Sequence, residues 1–136
     1  MSFGNTTETD LLAKIAKNTA LPWDAITDLF LSLHTADPGE SGSQTTSEAT
    51  YTSYARIAVV RSAVGWTVAG ATMTNAALVQ FVTATAGADV LTHVAIGTVV
   101  SGAGQIIVSG ALNSTLNVSS GIQPQFSAGQ LAFTLD

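Results

Sequence analysis

The hydrophobic pattern of the chain changes from a helical to a strand period near residue 28. In residues 6–20, Leu11, Leu12 and Ile15 recur at the i, i+3 and i+4 spacing of an amphipathic helix. Thr7 is the predicted N-cap, because its hydroxyl can accept a hydrogen bond from a free backbone N–H of the first turn. A helix of this length is marginal alone, so we expect it to dock on the body of the protein or on a neighbouring subunit.

Short strands dominate the remainder of the chain. Residues 29–34 alternate, with Leu at every odd position, and predict a strand with a buried odd face. Further strands are predicted at residues 54–60, 65–68, 77–82, 91–96, 105–109, 115–118 and 131–135, with a Gly-rich hairpin loop at 101–104. Turn signals about every 8–14 residues are typical of sandwiches and barrels. The sequence therefore predicts a mainly β fold: an antiparallel β-sandwich or barrel-like body with a short N-terminal α-helix.

The length of 136 residues fits a single domain, 1–136. We expect an N-terminal helix or arm at 1–22 and a β body at 28–136. A polar stretch interrupts the body at about residues 37–50, and it begins with an Asp-Pro-Gly-Glu run that fits a type II turn. Residues 41–48 contain no large apolar side chain, so we expect a mobile loop or an arm that becomes ordered on contact with a partner.

Charge is scarce and unevenly placed. Charged residues make up 10% of the chain, the net charge is −5, and no Lys or Arg follows Arg61. Binding of nucleic acid or of an anionic membrane needs clustered cations, so nucleic-acid binding is close to excluded and anionic membranes are disfavoured as partners. A surface this poor in charge suits a subunit that is covered by copies of itself or by a larger assembly.

Residues that could carry chemistry are few. The chain has no cysteine, so it can form neither a disulfide nor a thiolate metal site. His34 and His93 lie in predicted strands without the spacing of a metal-binding pair, and hydrogen-bonded structural histidines are the simpler interpretation. No Gly-x-Ser-x-Gly motif is present, and seven of the nine acidic residues precede Tyr51, in helix, turn and loop segments. The sequence indicates no catalytic residue, no cofactor and no metal site.

Larger apolar side chains outside the plain strand pattern are the remaining candidates for function. As candidate interface residues we take Leu11, Leu12, Ile15, Trp23, Tyr51, Tyr54 and Trp66. The four aromatic residues among them could instead stack on sugar rings, which would make a carbohydrate-binding module. Aromatic residues make up only 7% of the chain, so we favour core or interface roles.

Five segments carry a resemblance to a known family. The chain resembles small virion proteins of tailed bacteriophages and prophages at residues 1–9, 31–40, 51–59, 92–98 and 131–135. The most specific part is the Leu-His-Thr-Ala-Asp-Pro-Gly run at 33–39. Members of this family are described either as capsid decoration (cement) proteins or as tail-fibre-like proteins, so the resemblance implies a structural role in the virion.

The resemblance first implies a non-enzymatic capsid decoration protein that binds and stabilises the major capsid shell. Such a protein would be made in the host bacterial cytoplasm and would lie on the capsid exterior. The implied partners are other copies of the chain, as a homotrimer, and the phage major capsid protein. In this hypothesis the β body forms the trimer, and residues 1–20 and 41–48 contact the shell. A tail-associated or fibre-proximal structural protein is the alternative.

Overall fold

The computed structural model describes residues 1–135 and contains one helix and ten strands within them. In chain order the elements are β1 (Ser2–Phe3), α1 (Asn5–Lys17), β2 (Asp28–His34), β3 (Ile57–Val60), β4 (Trp66–Ala69), β5 (Thr72–Asn75), β6 (Val79–Gln80), β7 (Ala88–Gly97), β8 (Ile106–Ser119), β9 (Gln125–Phe126) and β10 (Ala132–Thr134). All strand pairs among the described residues are antiparallel. The predicted mainly β, sandwich-like fold with one short N-terminal helix is therefore confirmed.

Three sheets surround one core. The largest has the strand order β1-β8-β7-β2-β3, a second has the order β10-β5-β4, and β6 pairs with β9. Leu31 in β2 pairs with Ile96 in β7, which in turn pairs with Val108 in β8, and all three side chains are buried. These residues cluster with Phe133 of the second sheet and Val79 of the small one. The predicted burial of the odd face of β2 is thus confirmed.

The helix begins and ends earlier than predicted. Its N-cap is Gly4 and not Thr7, which lies in the first turn, fully buried. The Thr7 hydroxyl donates a hydrogen bond to the carbonyl oxygen of Ile106 at 3.0 Å. The predicted cap was wrong because this hydroxyl serves a tertiary contact. The helix ends at Lys17, where Asn18 adopts the left-handed conformation (φ 52°) common after a helix C-terminus.

The predicted strands 105–109 and 115–118 are parts of one strand, β8. The Gly-rich loop at 101–104 connects β7 to β8, as predicted. Leu91 faces Leu116, whereas His93 faces Ala111, so a two-residue step in β7 spans five residues in β8. The extra residues of β8 are accommodated as an irregularity inside one strand, where the sequence had predicted two separate strands.

Both ends of the described chain lie together. β1 pairs with β8 through Ser2 and Ser109, although no strand was predicted there. The Met1 Sδ atom lies 3.0 Å from the backbone nitrogen of Thr134 in β10. The first residues therefore belong to the body of the protein. The predicted β body extends to Asp136, which lies outside the described residues.

Candidate functional site

The helix is attached to the β body by its polar side. Gln105 donates from its amide nitrogen to the Thr7 hydroxyl at 2.8 Å and to the Asp10 carboxylate at 3.0 Å. Together with the bond from Thr7 to Ile106, these contacts fix the first half of α1 at the start of β8. The attachment therefore uses hydrogen bonds where the amphipathic pattern predicted apolar packing.

The apolar side of α1 faces solvent. Leu12 is 66% exposed and Ile15 is 81% exposed, while Leu11 is half-buried. Glu8 is also exposed, and the 8, 12, 15 spacing places it on the same helix face as Leu12 and Ile15. Isolated exposed apolar residues are normal, but two large ones on one narrow face form a candidate contact surface. We call Glu8, Leu12 and Ile15 the outward face of α1.

A second apolar surface is a groove of about 700 Å³, lined by residues of both larger sheets. Its lining includes Leu29 and Ile107 of the five-stranded sheet and Met73 of the three-stranded sheet. Val68 on the edge strand β4 is 72% exposed, and Leu135 is also exposed. Pockets that hold ligands commonly measure about 300–1,000 Å³, so this groove has room for several side chains. We call it the inter-sheet groove.

Arg61 is the one charged residue in the lining of the inter-sheet groove among residues 1–135. Its Nη1 donates to the carbonyl oxygens of Trp23 at 2.8 Å and Ile26 at 2.9 Å. The guanidinium carbon lies 5.5 Å from the centroid of the Trp23 ring, a cation–π distance. Within residues 1–135 the only ion pair joins Arg56 to Glu48, so Arg61 has no carboxylate partner there.

Two buried indole N–H groups also belong to this groove. Trp23 and Trp66 both line it, and neither indole nitrogen has an acceptor within residues 1–135. A buried donor without a partner costs about 1–3 kcal/mol. No other buried side-chain nitrogen or oxygen in the described part of the chain lacks a partner. Both buried side-chain donors that lack a partner in residues 1–135 therefore lie at the inter-sheet groove.

The polar stretch at 41–48 is packed against the body, and the prediction of a mobile loop or arm is wrong. Gln44 is fully buried, and its side-chain oxygen accepts hydrogen bonds from the backbone N–H groups of Thr98 and Val99, both at 3.0 Å. Gly97 and Gly104 leave room for it, since a Cβ atom at either position would overlap the Gln44 side chain. Burial of this segment is possible because its polar groups find backbone partners.

A buried ion pair holds the end of the same segment. Arg56 binds Glu48 with two bonds, Nε to Oε1 at 2.6 Å and Nη2 to Oε2 at 2.8 Å. Arg56 also donates to the carbonyl oxygens of Val99 at 3.0 Å and Gly102 at 2.8 Å. Tyr54 donates to Glu48 Oε1 at 3.0 Å, and burial is the main cause that raises its pKa. These bonds join the segment to the loop between β7 and β8.

His34 has a structural environment. Its Nδ1 lies 2.8 Å from the carbonyl oxygen of Thr46, and its Nε2 lies 2.8 Å from the Ser32 hydroxyl. Burial lowers the pKa of His34 from its ordinary 6.5, and it outweighs the opposing bond to Thr46 and the charge of Glu48. Ser32 and His34 are both fully buried. The pair therefore has no open path to a substrate, and we assign it to support of the segment at 41–48.

The structure separates the seven candidate interface residues into three groups. Leu12 and Ile15 are exposed, and Leu11, Trp23 and Tyr54 are half-buried. Tyr51 is 2% exposed and Trp66 is 7% exposed, so both belong mainly to the core of the chain itself. Of the aromatic candidates, the inter-sheet groove brings together only Trp23 and Trp66.

Sequence reasoning did not identify Arg61 or Val68 as site residues. Arg61 carried a weak signal, because it is the last cation of a charge-poor chain. Val68 carried none, since an apolar residue in a strand is expected to face the core.

Residues 1–135 show neither a metal site nor a membrane-spanning helix. No group of three or more His, Asp or Glu side chains is placed to hold a metal ion there. No helix in this part of the chain has the length and apolar character to cross a membrane.

The chain was compared with known proteins. No curated protein matches it with statistical significance. A family model described as podophage GP4 fiber I protein gp80 matches residues 2–134. This match covers nearly the whole chain, including both helix and sheets. The chain therefore belongs to the podophage GP4 fiber I protein gp80 family and is a structural virion protein of a tailed bacteriophage.

Proposed function

We propose that this protein is a structural subunit of a phage tail fibre and that it works by association, without catalysis. The observation that carries the proposal is the fibre-protein family match across residues 2–134. The family description favours a fibre over a capsid decoration protein, which the resemblance had placed first. We further propose that the chain associates with copies of itself, as a trimer.

Two features of the molecule support a role in association. The outward face of α1 and the inter-sheet groove leave large apolar side chains in solvent on a chain with few charges. Residues 41–48 are fixed by a buried ion pair and a fully buried Gln44, which favours a rigid body over a flexible adaptor. Apolar contacts between rigid subunits are typical of permanent assemblies.

Burial of the aromatic rings argues against the sugar-binding alternative. It rested on four aromatic rings, and Tyr51 and Trp66 are buried in the core. Tyr54 is half-buried, and its hydroxyl is bonded to Glu48 and to the backbone of Leu33. A ring in the core cannot stack on a sugar, because stacking needs an exposed face.

Copy number in the virion tests the proposal. Quantitative mass spectrometry of purified particles, with isotope-labelled peptides and the major capsid protein as reference, would give the number of chains per particle. A fibre built from trimers is expected in a small multiple of three, on the order of ten copies, because the trimers repeat around the cyclic symmetry of the tail. Antibody-gold labelling should then decorate the tail. Hundreds of copies on the shell would replace the fibre proposal by capsid decoration, and absence from particles would overturn both.

A further inference from the structure

We propose that the outward face of α1 in one copy of the chain docks in the inter-sheet groove of a neighbouring copy. This inference rests on the proposed self-association and names the two surfaces that carry it. It concerns Glu8, Leu12 and Ile15 on the helix, and Val68 and Arg61 at the groove.

The helix presents a pattern that fits a groove. Grooves that bind helices are filled by side chains at i, i+3, i+4 and i+7 positions, and residues 8, 12 and 15 follow this spacing. Leu12 and Ile15 are the most exposed large apolar residues of α1. The groove offers apolar walls from two sheets and an exposed Val68 at its edge.

The helix cannot fill the groove of its own chain. The Gly4 N–H donates to the carbonyl oxygen of Ile107 at 3.2 Å, and Thr7 bonds Ile106. These contacts fix the start of α1 beside β8 and leave Leu12 and Ile15 in solvent. Only the helix of a second chain could therefore place its outward face in this groove.

Charge complementarity favours a copy of this chain as the occupant. Among the described residues the groove has one charged lining residue, Arg61, and this arginine has no carboxylate partner within residues 1–135. The outward face of α1 has one charge, the exposed carboxylate of Glu8. Lys14 and Lys17 lie about 240° and 180° around the helix from Glu8, away from this face. In the proposed contact, the Glu8 carboxylate of one copy would therefore lie against the Arg61 guanidinium of the other, each among apolar residues.

The contact is of the head-to-tail kind. Each copy supplies one helix and one groove, so a ring leaves neither surface uncovered. A ring of three copies agrees with the trimer proposed above.

The lack of cysteine in the chain permits a direct test. One batch carries Ile15→Cys and a mass tag, and a second batch carries Val68→Cys; both positions are exposed, so folding should be unaffected. The batches are mixed, allowed to exchange subunits and treated with a short bis-maleimide cross-linker. Val68→Cys is replaced by Val100→Cys in the control, because Val100 is similarly exposed but lies in the loop between β7 and β8.

We expect the 15–68 product to exceed the 15–100 product by about tenfold. Adding Glu8→Lys to the helix batch should lower the 15–68 yield several-fold, whereas Glu40→Lys should not. A dominant 15–15 product would mean that helices pack on each other and would overturn the inference. If light scattering shows the preparation to be oligomeric but the 15–68 yield does not exceed the 15–100 control, the inference is also overturned. The fibre proposal would remain intact. A chain that stays monomeric would overturn the inference as well; virion copy number tests the fibre proposal separately.

Discussion

Residues 41–48 and helix α1 show opposite relations between polarity and burial. The segment at 41–48 has no large apolar side chain, yet it places Gln44 in the interior and Glu48 in a buried ion pair. Helix α1 has a clear apolar stripe, yet Leu12 and Ile15 on that stripe are exposed.

The difference lies in where each segment finds its partners. The polar segment satisfies its hydrogen bonds inside the chain, so its burial costs little. Leu12 and Ile15 on the apolar stripe have no covering surface within residues 1–135. Under the proposed self-association, the polar segment serves the fold and the apolar stripe serves assembly.

The largest effect is expected at the buried ion pair. Glu48→Ala would leave the Arg56 side chain, only 3% exposed, without its carboxylate partner. Breaking a buried pair from one side costs about 3–5 kcal/mol. The free energy of unfolding from urea titration measures this loss. Glu40→Ala is the control, because Glu40 is exposed and should change it by about 1 kcal/mol or less. Equal losses for both variants would show that residues 41–48 do not contribute to the fold as described.

Removal of the buried amide should have a smaller effect. Gln44→Ala would leave the N–H of Val99 without its acceptor, whereas the N–H of Thr98 keeps its 3.2 Å bond to the carbonyl oxygen of Gln105. Unsatisfied buried donors cost about 1–3 kcal/mol, so we expect a loss of about 2 kcal/mol in unfolding free energy. Thr45→Ala, at an exposed position in the same segment, should be close to neutral. A neutral Gln44 variant would contradict the role of this side chain.

A pH effect should accompany the buried histidine. The folded chain holds the pKa of His34 below the ordinary 6.5 of the unfolded chain, so the unfolded chain binds the proton more readily. Stability is therefore full above about pH 6.5 and falls as the pH decreases below it. Urea titrations between about pH 5.5 and 8 would measure this slope. His34→Gln should flatten this slope; a slope unchanged by His34→Gln would assign it to other groups.

The smallest effect on the fold is expected at the outward face of α1. A double variant, Leu12→Gln and Ile15→Gln, should change the unfolding free energy of dilute, monomeric chain by about 0.5 kcal/mol or less. The urea midpoint of the unchanged chain should rise with protein concentration, because association stabilises the folded state. The double variant should lose this concentration dependence. Retention of it would place the self-association surface elsewhere.

The sequence predicts those parts of the fold that depend on local pattern. The Leu alternation before His34 gave β2 and its buried face, and the glycines at 102 and 104 gave the hairpin loop. Strand β5, Thr72–Asn75, was missed because it has no apolar alternation and is held by its neighbours. Gly110 and Asn113 resemble turn residues, so β8 was divided in two.

The candidate site was less accessible from sequence. The pattern of α1 shows which residues share a helix face, but it does not show which face packs against the β body. The packed face is determined by the hydrogen bond from Gln105, nearly a hundred residues later in the chain. Gln44 appeared to be a loop residue because its partners at Thr98 and Val99 are distant in sequence. Such long-range hydrogen bonds leave no local periodicity.

The closeness of Met1 and Thr134 has a consequence for engineering. Since the first residue touches the last strand, a short Gly/Ser linker could join the two ends of this sequence, and new ends could be opened between Val100 and Ser101, which are both exposed. We expect such a circular permutant to keep the far-UV circular dichroism of the parent. A reporter fused to the new ends would lie on the β7–β8 side of the molecule. No fusion would then be needed next to Met1.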